Sequence, residues 1–117
     1  MKAKQGDYAI DVSLTNSPLT LHGDNGYSQK TQSGHASYYF SYPFLETAGT
    51  LTFEGKEHKV TGNAWYDREW SASLIDKNQM GWDWFSLVSD TDKSQKIGLM
   101  LFCIRDAQQN YDYCSGT

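Results

Sequence analysis

The chain has 117 residues and a mass of 13.3 kDa, the size of one domain and too small for two. Its 14 acidic and 10 basic residues leave a formal charge of −4, which argues against a nucleic-acid-binding module and against docking onto anionic lipid, since both need a basic face. No run approaches the ~20 apolar residues of a membrane helix, and Met1-Lys2-Ala3-Lys4-Gln5-Gly6 lacks the apolar stretch that follows the lysines of a signal peptide, so transmembrane insertion is not expected and the compartment stays open.

Taken in chain order, short alternating segments are broken by turn residues. Tyr8 to Leu14 predicts a strand, with Tyr8, Ile10, Val12 and Leu14 on one face and Ala9, Asp11 and Ser13 on the other. Thr15-Asn16-Ser17-Pro18 interrupts it, and Leu19-Thr20-Leu21 continues beyond. His22-Gly23-Asp24-Asn25-Gly26 is a loop rich in residues that tolerate positive φ. Ala36 to Tyr42 predicts a strand stopped by Pro43. Thr50 to Phe53 and His58 to Thr61 flank Glu54-Gly55-Lys56-Glu57, a hairpin signal. Ala64 to Trp70 follows almost directly, and only Ser71 to Gln79 suggests a helical turn. Gly81 to Ser89 predicts a strand closed by the turn residues Asp90 to Ser94. Lys96 to Ile104 is the most apolar strand, Asp106 to Asn110 turn, and Tyr111-Asp112-Tyr113 begin a last strand.

Strands at roughly ten-residue spacing, with no sustained helical period, predict an all-β antiparallel meander forming a barrel or sandwich. Composition agrees. Tyr, Phe and Trp number 8, 5 and 4 and together outnumber the branched aliphatics. That balance suits pleated surfaces, and it suits an interior that meets a ligand as well as itself. The two cysteines, Cys103 and Cys114, are too few for a disulfide scaffold and match no zinc spacing. A hairpin disulfide would need their strands to run out and back, and the simpler expectation is two separate reduced thiols.

The densest chemistry lies in Asn63-Ala64-Trp65-Tyr66-Asp67-Arg68-Glu69-Trp70-Ser71. On a strand, Trp65, Asp67 and Glu69 share one face, and Tyr66, Arg68 and Trp70 share the other. Either choice of interior buries charge, indole or both. A carboxylate buried among indoles is pushed toward its protonated form and becomes a proton donor, while nearby Trp faces favour a developing cation. The plainer account is a solvated Asp67-Arg68-Glu69 turn and two core tryptophans. Gly81-Trp82-Asp83-Trp84 puts Trp82 and Trp84 together, either filling a core or walling a pocket. Tyr38, Phe40 and Tyr42 share a face that suits a pocket wall, with Tyr39 opposite. His22, His35 and His58 have no metal-ligand spacing on one element and are expected as ordinary surface or loop histidines. No metal site, nucleophile elbow or phosphate loop is expected.

Several segments together resemble one family. They are Leu21-His22-Gly23-Asp24-Asn25-Gly26-Tyr27-Ser28-Gln29-Lys30, Ala36 to Pro43, Gly62 to Ser71, Gly81-Trp82-Asp83-Trp84-Phe85, and Leu99 to Phe102 with Ile104-Arg105. In this order they resemble the AttH-like, lipocalin-like family that includes the carotenoid 1,2-hydratases. The resemblance runs from about Tyr8 to the end. It implies a single lipocalin-like domain over 1–117, forming a barrel or an incomplete half-barrel for a polyene-, terpenoid- or fatty-acid-like ligand. It also implies a longer parent chain with two such domains, or an open edge that pairs with a second copy as a homodimer. In the hydratases it implies cofactor-independent protonation of a carbon–carbon double bond followed by water capture. Carried over, Asp67 would donate the proton, Glu69 would orient water, and Trp65, Trp70, Trp82 and Trp84 would wall the cation. Three functions therefore compete: binding of a hydrophobic small molecule in an aromatic cleft, hydration or isomerisation with Asp67 as acid, and a self-associating structural piece without ligand.

Overall fold

A computed structural model describes residues 1–71, 76–92 and 95–117, with residues 90–92 described as strand backbone only. The described residues are all-β. The strands are β1 (Lys2–Gln5), β2 (Tyr8–Thr15), β3 (Thr20–Leu21), β4 (Tyr27–Gln29), β5 (Ala36–Phe53), β6 (Lys56–Trp70), β7 (Gln79–Asp92), β8 (Gln95–Asp106) and β9 (Tyr111–Gly116). The helical turn expected over Ser71 to Gln79 falls mostly on residues 72–75, outside the described residues; of the turn expected over Asp90 to Ser94, residues 93–94 lie outside them too, while Asp90 to Asp92 continue β7 as strand and do not turn.

The ladders of β1 on β2, of β2, β3 and β4 on β5, of β7 on β8 and of β8 on β9 are antiparallel. β5 organises a six-stranded sheet: β2, β3 and β4 pair with it at successive positions, β6 pairs with it too, and β1 pairs with β2. β7, β8 and β9 make a separate three-stranded sheet. Among the described residues no ladder joins the two sheets into a closed barrel, so of the two forms expected the open one is found.

Pro43 does not end its strand. The β3 ladder on β5 stops at Ser41, and the β2 ladder begins at Glu46. Pro43 falls in that gap, where a missing N–H breaks neither ladder. Nearby, the Phe44 N–H donates to Ser17 Oγ at 3.0 Å. Two short strands without clear alternation, β1 and β4, also form, because each has a longer strand to pair with.

The described residues divide into two compact units, Met1–Pro18 with Tyr42–Tyr66, and Leu19–Ser41 with Asp67–Thr117. In the first, Val12 is buried and the Met1 ammonium donates to its carbonyl at 2.6 Å. Glu54 and Gly55, with φ of 49° and 76°, make the two-residue turn into β6, as the hairpin signal predicts. Gly49 passes so close to β2 that a Cβ there would sit 2.1 Å from the Asp11 carbonyl oxygen.

In the second unit, β8 shows period-two burial. Met100, Phe102 and Ile104 are buried, while Leu99 and Leu101 face out. The register sets Cys103 directly opposite Cys114 across β8 and β9, with their Cα atoms 4.1 Å apart. The expectation of two reduced thiols is therefore corrected: they form a disulfide. The eleven-residue spacing is that of a hairpin whose turn lies at Asp106 to Asn110, where the Asp106 carboxylate accepts from the Gln108 and Asn110 N–H groups at 2.9 and 2.8 Å.

Candidate functional site

The site lies in the second unit and starts from the alternation of β5. Ser37, Tyr39 and Ser41 are buried on one face, and Tyr38 is exposed on the other. Asp67 and Glu69, two apart on β6, turn toward the serines: Ser37 Oγ donates to Glu69 at 2.5 Å, and Ser41 Oγ donates to Asp67. Two carboxylates on a partly buried strand need donors, and small hydroxyl side chains supply them without filling the space beyond.

Tyr39 stands between the serines. Its phenol oxygen accepts from Trp84 Nε1 at 3.0 Å. Burial raises its pKa well above the usual range; the Trp84 hydrogen bond opposes this and Asp67 reinforces it. Tyr39 therefore stays a phenol throughout the physiological range.

Lys30 follows β4, and its backbone is fixed on both sides. Its N–H donates to the His35 carbonyl at 2.7 Å, and its own carbonyl accepts from the buried Gln79 amide at 3.3 Å. The Lys30 side chain is only 8 % exposed, with Nζ 2.7 Å from Glu69 Oε1. The ammonium also sits over the Phe102 ring at 3.9 Å and the Tyr39 ring at 4.9 Å from their centroids, the geometry of cation–π attraction. A lysine this buried needs a paired carboxylate, and Glu69 supplies it.

Around these groups is a cavity of about 260 Å³ lined by Lys30, Tyr39, Glu69, Trp82, Trp84, Phe102 and Ile104. Apart from the ion pair and the phenol, its walls are aromatic and aliphatic. Trp82 and Trp84 lie on the same face of β7, and they are 55 % and 39 % exposed.

Of the residues singled out in the sequence, Glu69, Trp82 and Trp84 line this cavity. Asp67 is linked to Tyr39 and to Ser41 without appearing among the lining residues. Tyr38, Phe40 and Trp70 cluster elsewhere, with ring centroids 6.2 Å apart for Tyr38 and Trp70 and 5.9 Å apart for Phe40 and Trp70. Tyr42 and Trp65 belong to the first unit, where Tyr42 stacks on Tyr66 at 6.3 Å. Lys30, Tyr39, Phe102 and Ile104 escaped the sequence reading. The signal that would have found Tyr39 is the Ser-x-Tyr-x-Ser alternation facing Asp-x-Glu.

His22 also departs from expectation. It follows β3 at a loop position, but at 1 % exposed it is buried and not a surface histidine. The preceding β3 pairs with Ser41 and Phe40, the His22 N–H donates to the Tyr39 carbonyl at 3.1 Å, and Gly23 turns the chain away at φ +65°, where a Cβ would collide with the Tyr27 carbonyl. The imidazole lies against the Tyr39 ring at 4.2 Å, and its Nε2 is 2.6 Å from Ser41 Oγ. Because the Ser41 hydroxyl donates to Asp67, its oxygen accepts from His22, which assigns the proton to Nε2. Nδ1 is buried and has no hydrogen-bond partner.

Burial lowers the His22 pKa; the Lys30 charge adds to this, while Asp67 and Glu69 oppose it. The folded state thus takes up its proton at lower pH than the unfolded chain. Between the folded pKa and the ordinary histidine value of 6.5, the unfolded state binds more protons, so stability falls as pH drops through that window and levels off below it. Each pKa unit of lowering corresponds to about 1.4 kcal/mol. Urea titrations from pH 8 to pH 5 are expected to show this loss, and His22→Gln is expected to flatten it. An unchanged slope in the variant would assign the acid sensitivity to other groups.

Among the described residues no cluster of His, Cys, Asp and Glu is arranged to hold a metal, and no helix is long and apolar enough to cross a membrane.

Comparison with known proteins gives three findings. The AttH-like family model matches residues 1–117. A crystal structure from Nitrosomonas europaea, described as a candidate AttH, is similar with a TM-score of 0.87 and 36 % identity. The match covers 98 % of this chain and 35 % of that one, so the chain spans about a third of the length of the solved relative. No curated protein matches.

Proposed function

Because the chain belongs to the AttH-like family, with its lipocalin-like fold, we propose that residues 1–117 act as one lipocalin-like domain that takes up a hydrophobic small molecule of the polyene, terpenoid or fatty-acid kind. The observation that carries this is the cavity walled by Trp82, Trp84, Phe102 and Ile104. A concave apolar surface with a few convergent polar groups is the usual form of a small-molecule site. Leaving two half-exposed indoles in water beside it is costly unless something covers them.

The competing reading is a cofactor-independent hydratase with Asp67 as the acid and Glu69 orienting water. One observation weighs against it in this chain. Asp67 is engaged by the Ser41 hydroxyl and is not one of the residues that line the cavity, so it is poorly placed to reach a bound alkene.

Titration of the tryptophan fluorescence with a linear terpenoid and with a medium-chain fatty acid tests the binding reading. Saturable quenching with a blue shift is expected, and no response to either ligand would overturn it. Asp67→Asn is expected to leave ligand uptake unchanged within a few-fold. Conversion of an isoprenoid alkene to its tertiary alcohol by the parent, lost in Asp67→Asn, would establish the hydratase instead.

A further inference from the structure

The polar groups at the cavity wall carry an inference about which head group the ligand has; it rests on the binding reading above and sharpens it. Lys30 Nζ is the cationic donor of the wall, and its charge is already matched by Glu69 at 2.7 Å. A second carboxylate, Asp67, acts on the same groups: its charge raises the pKa of both Tyr39 and His22. With the buried histidine kept neutral, the charged groups found among the described residues at and behind this wall are the Lys30 ammonium and the Glu69 and Asp67 carboxylates.

An incoming carboxylate would lose its hydration in an apolar cavity and meet a surplus of negative charge there. A plain hydrocarbon would leave the ammonium as it is. A neutral molecule with one accepting oxygen meets neither obstacle. The ammonium has three donors. Glu69 takes one, and the Phe102 and Tyr39 ring faces are what the rest meet. A ring face is a weak acceptor that a carbonyl oxygen readily replaces, and a charge-assisted hydrogen bond to a neutral oxygen is about twice as strong as an uncharged one.

We infer that Lys30 is a specificity-determining residue, and that the cavity takes a neutral hydrophobe bearing one hydrogen-bond-accepting oxygen, such as a ketone, in preference to the matching carboxylate or hydrocarbon. Glu69 sets that preference, because it holds the ammonium's charge in balance while leaving N–H groups to donate. Ser37 in turn holds Glu69 in place.

The test uses three probes of nearly equal size: octan-2-one, octanoate and nonane. Each competes against a fluorescent apolar probe on the intact chain. Octan-2-one is expected to bind about tenfold or more tightly than nonane, as a hydrogen bond to a charged group implies, and more tightly than octanoate at neutral pH. Lys30→Met is expected to abolish the advantage of octan-2-one over nonane, because the buried ketone oxygen then has no donor. Should Lys30→Met fail to fold, Glu69→Gln decides. Removing the balancing charge is expected to raise octanoate affinity about tenfold or more and reverse the order of octanoate and octan-2-one. If all three probes bind alike, or octanoate binds tightest to the parent, the head-group inference is overturned and the binding reading stands. If none binds, the binding reading falls and takes this inference with it.

Discussion

Ser41→Ala is expected to cost about 3 kcal/mol of stability, far more than the removal of one oxygen atom suggests. Ser41 is fully buried at 0 % exposure, accepts from His22 Nε2 at 2.6 Å and donates to Asp67. Alanine fits its volume but serves neither neighbour. His22, whose Nδ1 already has no hydrogen-bond partner, would then keep an unmatched N–H at Nε2 as well. Asp67 would lose one charge-assisted donor. A stranded buried donor costs about 1–3 kcal/mol, and a hydrogen bond to a charged group contributes about 1.5–3 kcal/mol. A double-mutant cycle separates this from lost packing. Adding His22→Phe to Ser41→Ala removes the stranded N–H, so the pair is expected to cost at least 1 kcal/mol less than the two single losses together. Strict additivity would show that the His22–Ser41–Asp67 chain does not act as a unit.

That chain also marks where the sequence was readable and where it was not. The strand β2 follows from period-two alternation, β7 and β8 from apolar and aromatic-rich segments bounded by turn residues, and the Glu54-Gly55 turn from a hairpin signal whose glycine accepts positive φ. The face-sharing of Asp67 with Glu69 and of Trp82 with Trp84 follows from the same period. What alternation cannot give is which face of a strand is inward when both faces are mixed. On β5 the aromatic face of Tyr38 and Phe40 reads as the pocket wall, yet the inward face is Ser37, Tyr39 and Ser41. The reason is electrostatic. β6 presents two carboxylates, and hydroxyl donors meet that need where aromatic rings do not. Lys30 and His22 were unreadable for a related reason. Each is buried only because a partner distant in sequence accepts or donates to it, Glu69 for Lys30 and Ser41 for His22. Nothing in their own neighbourhoods announces those partners.

The disulfide leads to the second large effect. Reduction, or the paired substitution of Cys103→Ser and Cys114→Ser, is expected to lower stability by about 3 kcal/mol, the loop-closure contribution for a ring of this length. The loss has a local address. β9 is held to β8 by the hairpin ladder and the disulfide, its end is tied to β8 by two hydrogen bonds between Met100 and Thr117, and its Tyr113 ring packs on Phe102 at 6.3 Å. Phe102 is both a cavity wall and a ring under the Lys30 ammonium. Loosening β9 therefore unfastens the support behind the cavity as well as the strand edge. Urea titrations with and without reductant are expected to show the lower midpoint, and ligand titrations of the reduced chain to show weaker uptake at temperatures where it remains folded. Its partner strand would still hold Phe102 through the β7 ladder, so binding is expected to weaken and not to vanish. If the midpoint drops and affinity is unchanged, β9 is a clasp for the sheet alone and the cavity wall is carried entirely by β7 and β8.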